Sequence, residues 1–159
     1  MVICHVLSSF NLGGQERVAS DLANLQRANG HRVLAVSLSN APEGELADRF
    51  RAMGVEAFCV PKGPRFDPSL SMRLSKPLGR QRVEIVHTHN PHALVYGAPA
   101  GKLAGASVIH TKHGINPDLL RRIWLRRAAA GLVDAYVAVT ATLRKSHSGT
   151  TSATRPGSR

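Results

Sequence analysis

An α/β domain built on an open, doubly wound parallel sheet of about six strands is what the sequence predicts, and three observations predict it. Short β-branched runs alternate with helix-period segments almost from end to end, the order that builds a parallel sheet covered on both faces. Glycines stand where helices must stop, at Gly30, Gly54 and Gly105. The 159 residues, 43% hydrophobic and 19% charged, are enough for one packed core and too few for two full domains.

Val2–Leu7 is a continuous apolar run closing in Ser8-Ser9, as expected of a central strand covered on both faces. A helix over Gln15–Asn29 carries Val18, Leu22 and Leu25 at the spacing of one apolar face, and Gly30 takes its C-cap. His31–Leu38 is the second strand. Leu46, Phe50 and Met53 repeat the helical spacing as far as Gly54, and Val55–Val60 is the third strand. The stretch Pro61–Pro68 is turn-rich and irregular. A short helix over Ser69–Leu78, with Leu70 and Leu74 on one face, is limited by Pro77.

Glu84–Thr88 is the fourth strand, Ala93–Leu103 a helix, Ser107–Thr111 the fifth strand and Ala135–Val139 the sixth. Between the last two lies an arginine-rich helix, Leu119–Leu132. Leu120, Ile123, Trp124 and Ala128 form its inward stripe, which leaves Arg121, Arg122, Arg126 and Arg127 partly outside. Thr140–Lys145 is able to begin another helix, so the domain spans 1–145. Residues 146–159 hold no large apolar side chain and are expected to be a disordered polar tail.

The formal charge of +11 favours a phosphate-rich partner or an anionic membrane surface, unless it reflects only an arginine-biased composition. The four helix arginines would supply a membrane contact. Aromatic residues make up only 4% of the chain, and no helix-turn-helix, zinc finger or stacking strand appears, so no nucleic acid is expected as partner. Cys4 and Cys59 sit singly in apolar segments, as two reduced, buried thiols. There is no basic leader and no apolar run near the ~20 residues of a membrane span. A cytoplasmic protein is expected, peripheral at the inner face of the membrane if the arginine helix binds lipid.

In a sheet of this kind ligands bind beyond the carboxyl ends of the strands, and three segments fall there. Ser8 to Arg17 places Gly13 and Gly14 before a helix N-terminus, where the backbone can approach an anion and a β-branched side chain would strain the turn. It is neither a G-x-G-x-x-G fingerprint nor a phosphate-binding P-loop. The others are Val86-His87-Thr88-His89-Asn90-Pro91-His92 and Ile109-His110-Thr111-Lys112-His113-Gly114. Five histidines at neighbouring strand ends raise the question of a metal. Neither segment holds an Asp or Glu, and alternation sends His87 and His89 to one face and His110 to the core face. No metal is expected, and each histidine taken singly reads as a hydrogen-bonded structural residue.

Four of these stretches together resemble the N-terminal, Rossmann-like half of family 4 glycosyltransferases of GT-B fold. Gly13-Gly14-Gln15-Glu16-Arg17 followed by Gly30-His31-Arg32-Val33 resembles their "GG-x-E-R … GH-x-V". Glu84 to Asn90 is similar to "D-I-V-H-T-H-N", Thr111 to Gly114 to "T-x-H-G", and Asp134 to Thr140 to "D-x-x-V-A-V-S". The resemblance runs from about Val2 to Leu143. It implies sugar transfer, with retention at the anomeric carbon, from a nucleotide sugar to a glycan or lipid-linked acceptor. It implies no cofactor and no metal, in keeping with the lack of an Asp-x-Asp motif.

By the same resemblance Gly13 and Gly14 face the donor diphosphate and the acceptor. His113 is the catalytic residue that reaches the transferred sugar. His89 and Asn90 lie on the acceptor side, and Thr140 lies beside the domain junction. Gln15, Glu16, Lys112 and Gly114 count with them in substrate binding. The family continues into a second domain that grips the donor phosphates, and the tail after Lys145 departs from that pattern, as a truncated or frame-shifted end or as a deliberate short form would. Weak binding of nucleotide sugar and no transfer by the chain alone are therefore expected. The alternatives are a non-catalytic acceptor-binding or membrane-associated subunit completed in trans by a donor-binding domain and, from another class, a basic nucleic-acid-binding module.

Overall fold

The computed structural model describes residues 1–11, 13–41, 43–113 and 123–139. In chain order the elements are β1 (Val2–Leu7), α1 (Gly14–Ala28), β2 (Arg32–Ser37), α2 (Glu45–Ala52), β3 (Glu56–Cys59), α3 (Ser69–Arg80), β4 (Ile85–Thr88), α4 (Pro91–Leu103), β5 (Ser107–Lys112), α5 (Ile123–Ala130) and β6 (Ala135–Ala138). All the pairings are parallel, and the sheet order is β3-β2-β1-β4-β5-β6. The strand order reverses between β1 and β4, which is where a sheet of this topology opens a crevice. The doubly wound α/β fold is thus observed, with each strand within two residues of its expected bounds.

The two faces are covered separately. Leu7, Val33 and Ala35 pack with Ala19, Ala23, Leu46 and Phe50 of α1 and α2. On the other side Cys4, Val6, Val36 and Val86 pack with Leu70, Leu74 and Tyr96 of α3 and α4, and Val108 meets Leu94 and Ala129 of α4 and α5. α4 lies unusually close to the sheet because it carries glycines at successive turns. A Cβ at Gly97 would sit 2.8 Å from Thr88 Cγ2, and one at Gly101 would sit 2.9 Å from Val108 Cγ2. Gly44, with φ +130°, needs glycine twice over: its backbone is one that side chains rarely adopt, and a Cβ would lie 2.6 Å from Phe10 O. Leu46 N donates to that same carbonyl at 3.1 Å, which ties the loop after β1 to the start of α2.

Several local expectations change in the structure. The sheet-facing side of α1 is Ala19, Ser20 and Ala23, while Val18 and Leu25 are exposed. Small side chains let the helix settle against β1 and β2, and that roll outweighs the larger apolar stripe. Pro77 does not end α3; it occupies the last turn, where only one backbone bond is lost, and the helix runs on to Arg80. On α5 the residue turned inward is Ala129, and Ile123 and Trp124 face out. Ala129 packs with Leu94, Ala98 and Val108. Arg126 is half-buried and Arg127 exposed, whereas Leu120, Arg121 and Arg122 lie outside the described residues. Cys4 is buried as expected, but Cys59, on the edge strand β3, is only partly so. The expected tail at 146–159 also lies outside the described residues.

Two acidic residues of the family-like motifs serve the fold at the far end of the sheet. Glu84 Oε2 accepts from Val2 N at 2.7 Å, and Asp134 Oδ2 accepts from Val108 N at 2.7 Å and Lys102 Nζ at 2.6 Å. Among the described residues no helix is long and apolar enough to cross a membrane.

Candidate active site

The carboxyl ends of β1, β4 and β5 converge at the point where the strand order reverses. β1 ends in Ser8, β4 runs into His89 and Asn90, and β5 delivers Lys112 and His113. α1 begins at this edge. Gly13 is its N-cap, with φ −139° and ψ −179°. That is extended backbone open to any residue, so the turn itself does not require glycine, contrary to expectation. Among the described residues a Cβ at Gly13 would meet only the carboxylate end of the Glu16 side chain, and one at Gly14 would meet nothing within 4 Å. What the two glycines leave is open space over a helix N-terminus, with the Glu16 carboxylate as its present neighbour.

Asn90 is the best-anchored polar residue of the edge. Its side chain caps α4 by accepting from Ala93 N at 2.9 Å, and its Oδ1 also accepts from Ser8 Oγ at 2.6 Å. Pro91 at the first helical position has no N–H to leave unsatisfied. With Oδ1 fixed by two donors, Nδ2 is the amide group left over. It is buried and has no partner among the described residues, and an orphaned buried donor is rare enough to require a reason.

Beside it stands a cluster of histidines. His5 and His87 are Cα partners across β1 and β4, and alternation puts both, with His89, on the α1 face. His87 and His89 stack with ring centroids 4.2 Å apart, and His5 lies within 5.3 Å of each. His87 Nε2 is 2.7 Å from Thr111 Oγ1. His89 bonds His5 on one side and His113 on the other, at 2.8 Å and 3.3 Å. His110 takes the opposite face as expected, its Nδ1 2.8 Å from Thr88 Oγ1 and its ring against Tyr136. Burial holds the His5 pKa down at about 4 and that of His87 at about 3, the latter lowered further by its neighbouring histidines. Burial also pushes His89 well below its usual value, and His113 less far. All four are therefore neutral imidazoles near pH 7.

Of the expected site residues, Gly13, Gly14, Glu16, His89, Asn90, Lys112 and His113 thus belong to one edge. His89 is 1% exposed with both ring nitrogens engaged, so it reaches a ligand only through His113. Gly114 and Thr140 lie outside the described residues, as does the side chain of Gln15. Ser8, His5 and Gln26 are not among the site residues that the sequence predicts. His5 had a signal, a lone polar residue inside a central apolar strand; Gln26 had none, because a larger apolar stripe on the same helix masked its face.

Comparison with known proteins bears on the family and the fold. The family model of Glycosyltransferase Family 4 matches residues 12–150. No curated protein matches the chain significantly. Among solved structures, HepE of Anabaena in complex with UDP and glucose superposes with a TM-score of 0.62 at 20% identity, covering 82% of this chain and 34% of that one. A glycosyltransferase from Rickettsia africae gives 0.64 at 18% identity, covering 91% and 38%. The lipopolysaccharide outer core galactosyltransferase WaaB gives 0.63 at 12% identity, covering 91% and 41%. At these identities the likeness establishes the fold. The chain spans little more than a third of the length of such proteins.

Proposed function

The chain belongs to glycosyltransferase family 4, and from that premise we propose that it forms the acceptor-side domain of a retaining transferase that moves a sugar from a nucleotide sugar to a glycan or lipid-linked acceptor. The observation that carries this reading is Asn90, whose amide is pinned by Ser8 and by the cap of α4 so that a buried Nδ2, unpartnered among the described residues, is left beside the strand ends. A donor held rigidly and kept from water is suited to grip a hydroxyl or carbonyl oxygen of a bound sugar. On the same edge the open helix start at Gly13 and Gly14 accepts the approach of a phosphate, and neutral His113 is placed to hydrogen-bond the transferred sugar. Lys112, next to it, supplies positive charge for the acceptor or the leaving group.

Transfer on this reading needs no metal: the reacting groups are polar side chains and helix N–H groups, and the sequence has no Asp-x-Asp motif. Most contacts to the nucleotide belong to a second domain, so these 159 residues alone bind donor weakly and do not turn over. The test is to combine the chain, fused or in trans, with a family 4 donor-binding domain and follow sugar transfer. Activity in the combination, absent from either part and lost in Asn90→Asp, supports the assignment. Transfer that is indifferent to Asn90→Asp refutes it.

The exposed Ile123 and Trp124 beside Arg127 on α5 favour a second element of the same reading. An aromatic and basic surface is suited to an anionic leaflet, which would keep the domain at the inner face of the membrane, near a lipid-linked acceptor.

A further inference from the structure

An unbroken line of hydrogen bonds crosses the histidine cluster. Gln26 Oε1, on α1, is 2.8 Å from His5 Nε2; His5 Nδ1 is 2.8 Å from His89 Nε2; His89 Nδ1 is 3.3 Å from His113 Nε2. The line starts at a half-buried side chain, passes through two fully buried rings and ends at a half-buried one. His87, stacked on His89 and bonded to Thr111, braces the middle ring without joining the line.

A neutral imidazole has one N–H and one lone pair. Each contact in a row of such rings needs one of each, so all the rings must carry their protons on the same side. The Gln26 oxygen can only accept, which makes His5 Nε2 the donor. His5 Nδ1 is then a lone pair and accepts from His89 Nε2, and His89 Nδ1 accepts from His113 Nε2. Nδ1 of His113 is left unprotonated and without a partner among the described residues. Burial keeps the rings neutral, and among the described residues none of them is hydrogen-bonded to a carboxylate that would hold an extra proton.

We propose that Gln26, His5 and His89 are positioning residues that set the tautomer of His113, so that His113 meets its ligand through Nδ1 as a hydrogen-bond acceptor. An acceptor nitrogen selects a hydroxyl and turns away a phosphate oxygen. On the reading given above, which this inference deepens, His113 therefore recognises a sugar hydroxyl and not the diphosphate. The chain Gln26–His5–His89–His113 also accounts for a buried histidine in the central strand. The nearby trio His5, His87 and His89 lies close enough to hold a metal ion, but both ring nitrogens of His5 and of His89 are already engaged in the line.

The test is a two-bond proton–nitrogen correlation spectrum of the imidazoles in the 15N-labelled, EDTA-treated chain at pH 7.5. His5, His89 and His113 should all appear as neutral Nε2–H tautomers. Gln26→Leu removes the terminal acceptor and should shift the His113 nitrogens toward averaged values, three hydrogen bonds away. Gln26→Glu keeps an acceptor oxygen and should restore them. Gln26→Ala serves in place of Gln26→Leu if the latter loses its native amide dispersion. An Nδ1–H tautomer at any of the three rings, or His113 unmoved when the acceptor is removed, overturns the relay. So does one equivalent of zinc that survives desalting in the untreated chain and is lost in His87→Ala. The spectrum needs neither sugar nor turnover, so a failed transfer assay with intact tautomers strikes the proposed function alone.

Discussion

Ser8 Oγ donates to Asn90 Oδ1 at 2.6 Å and so ties the end of β1 to the start of α4 across the place where the strand order reverses. The bond does two things. It fixes the orientation of the Asn90 amide, and it leaves Nδ2 of Asn90 as a directed donor. Asn90→Ala should cost about 1 kcal/mol of stability through the lost cap, seen as a lower denaturation midpoint. Asn90→Asp is the sharper change, because aspartate caps as well as asparagine but cannot donate. Its stability should stay near wild type while transfer in the reconstituted enzyme falls by roughly tenfold to a hundredfold, the worth of one buried hydrogen bond. Transfer unchanged in Asn90→Asp would mean that Asn90 only caps the helix.

Gly13→Val should fold normally. The φ of −139° suits valine, and among the described residues its Cβ would meet only the end of the flexible Glu16 side chain. Transfer should nevertheless be abolished, since the valine fills the space over the helix N-terminus. A variant with the native circular dichroism spectrum and unchanged turnover would take this loop out of the site.

Stability should fall on mild acidification. His5, His87 and His89 are buried neutral, with folded pKa values below the unfolded value near 6.5. Below pH 6.5 the unfolded chain binds protons that the folded chain refuses, so stability present above that pH is lost as pH falls toward about 4, the folded value of His5. Each such histidine contributes about 1.4 kcal/mol per pH unit inside the window. Urea denaturation at pH 7.5, 6 and 5 measures the slope, and His87→Phe should reduce it. A midpoint flat from pH 7.5 to 5 would show that the cluster is solvated.

Trp124 is the sole tryptophan of the chain and is 64% exposed, so its emission reports the environment of α5 directly. With anionic vesicles at ~0.1 M salt, where the Debye length is about 10 Å, the emission should shift to the blue, and with neutral vesicles it should not. Replacing Arg121, Arg122, Arg126 and Arg127 with Gln should weaken binding by about a thousandfold at ~1 kcal/mol per charge. No shift with wild-type protein would make the basic charge compositional.

The order of strands and helices was legible because apolar runs and terminal glycines such as Gly30, Gly54 and Gly105 mark each element, and all three adopt positive φ. The site edge was legible in part: Gly13, His89, Asn90 and His113 follow strand ends that the pattern locates. The histidine line was not. It depends on the register that sets His5 beside His87, 82 residues apart in sequence, and on the roll of α1 that turns Gln26 inward while Leu25 faces water. Both are decided by tertiary packing, which local periodicity does not encode.

Calorimetric titration of UDP-glucose and of a GDP-sugar into the 159-residue chain bears most directly on its assignment as the acceptor-side domain. Its edge offers a nucleotide sugar one open helix start, His113 and Asn90, and leaves the base and most of the diphosphate to a second domain. The expected Kd is in the millimolar range or weaker, roughly 4 kcal/mol of binding. Micromolar affinity for either sugar nucleotide would contradict the assignment, because the chain would then hold a complete donor site of its own.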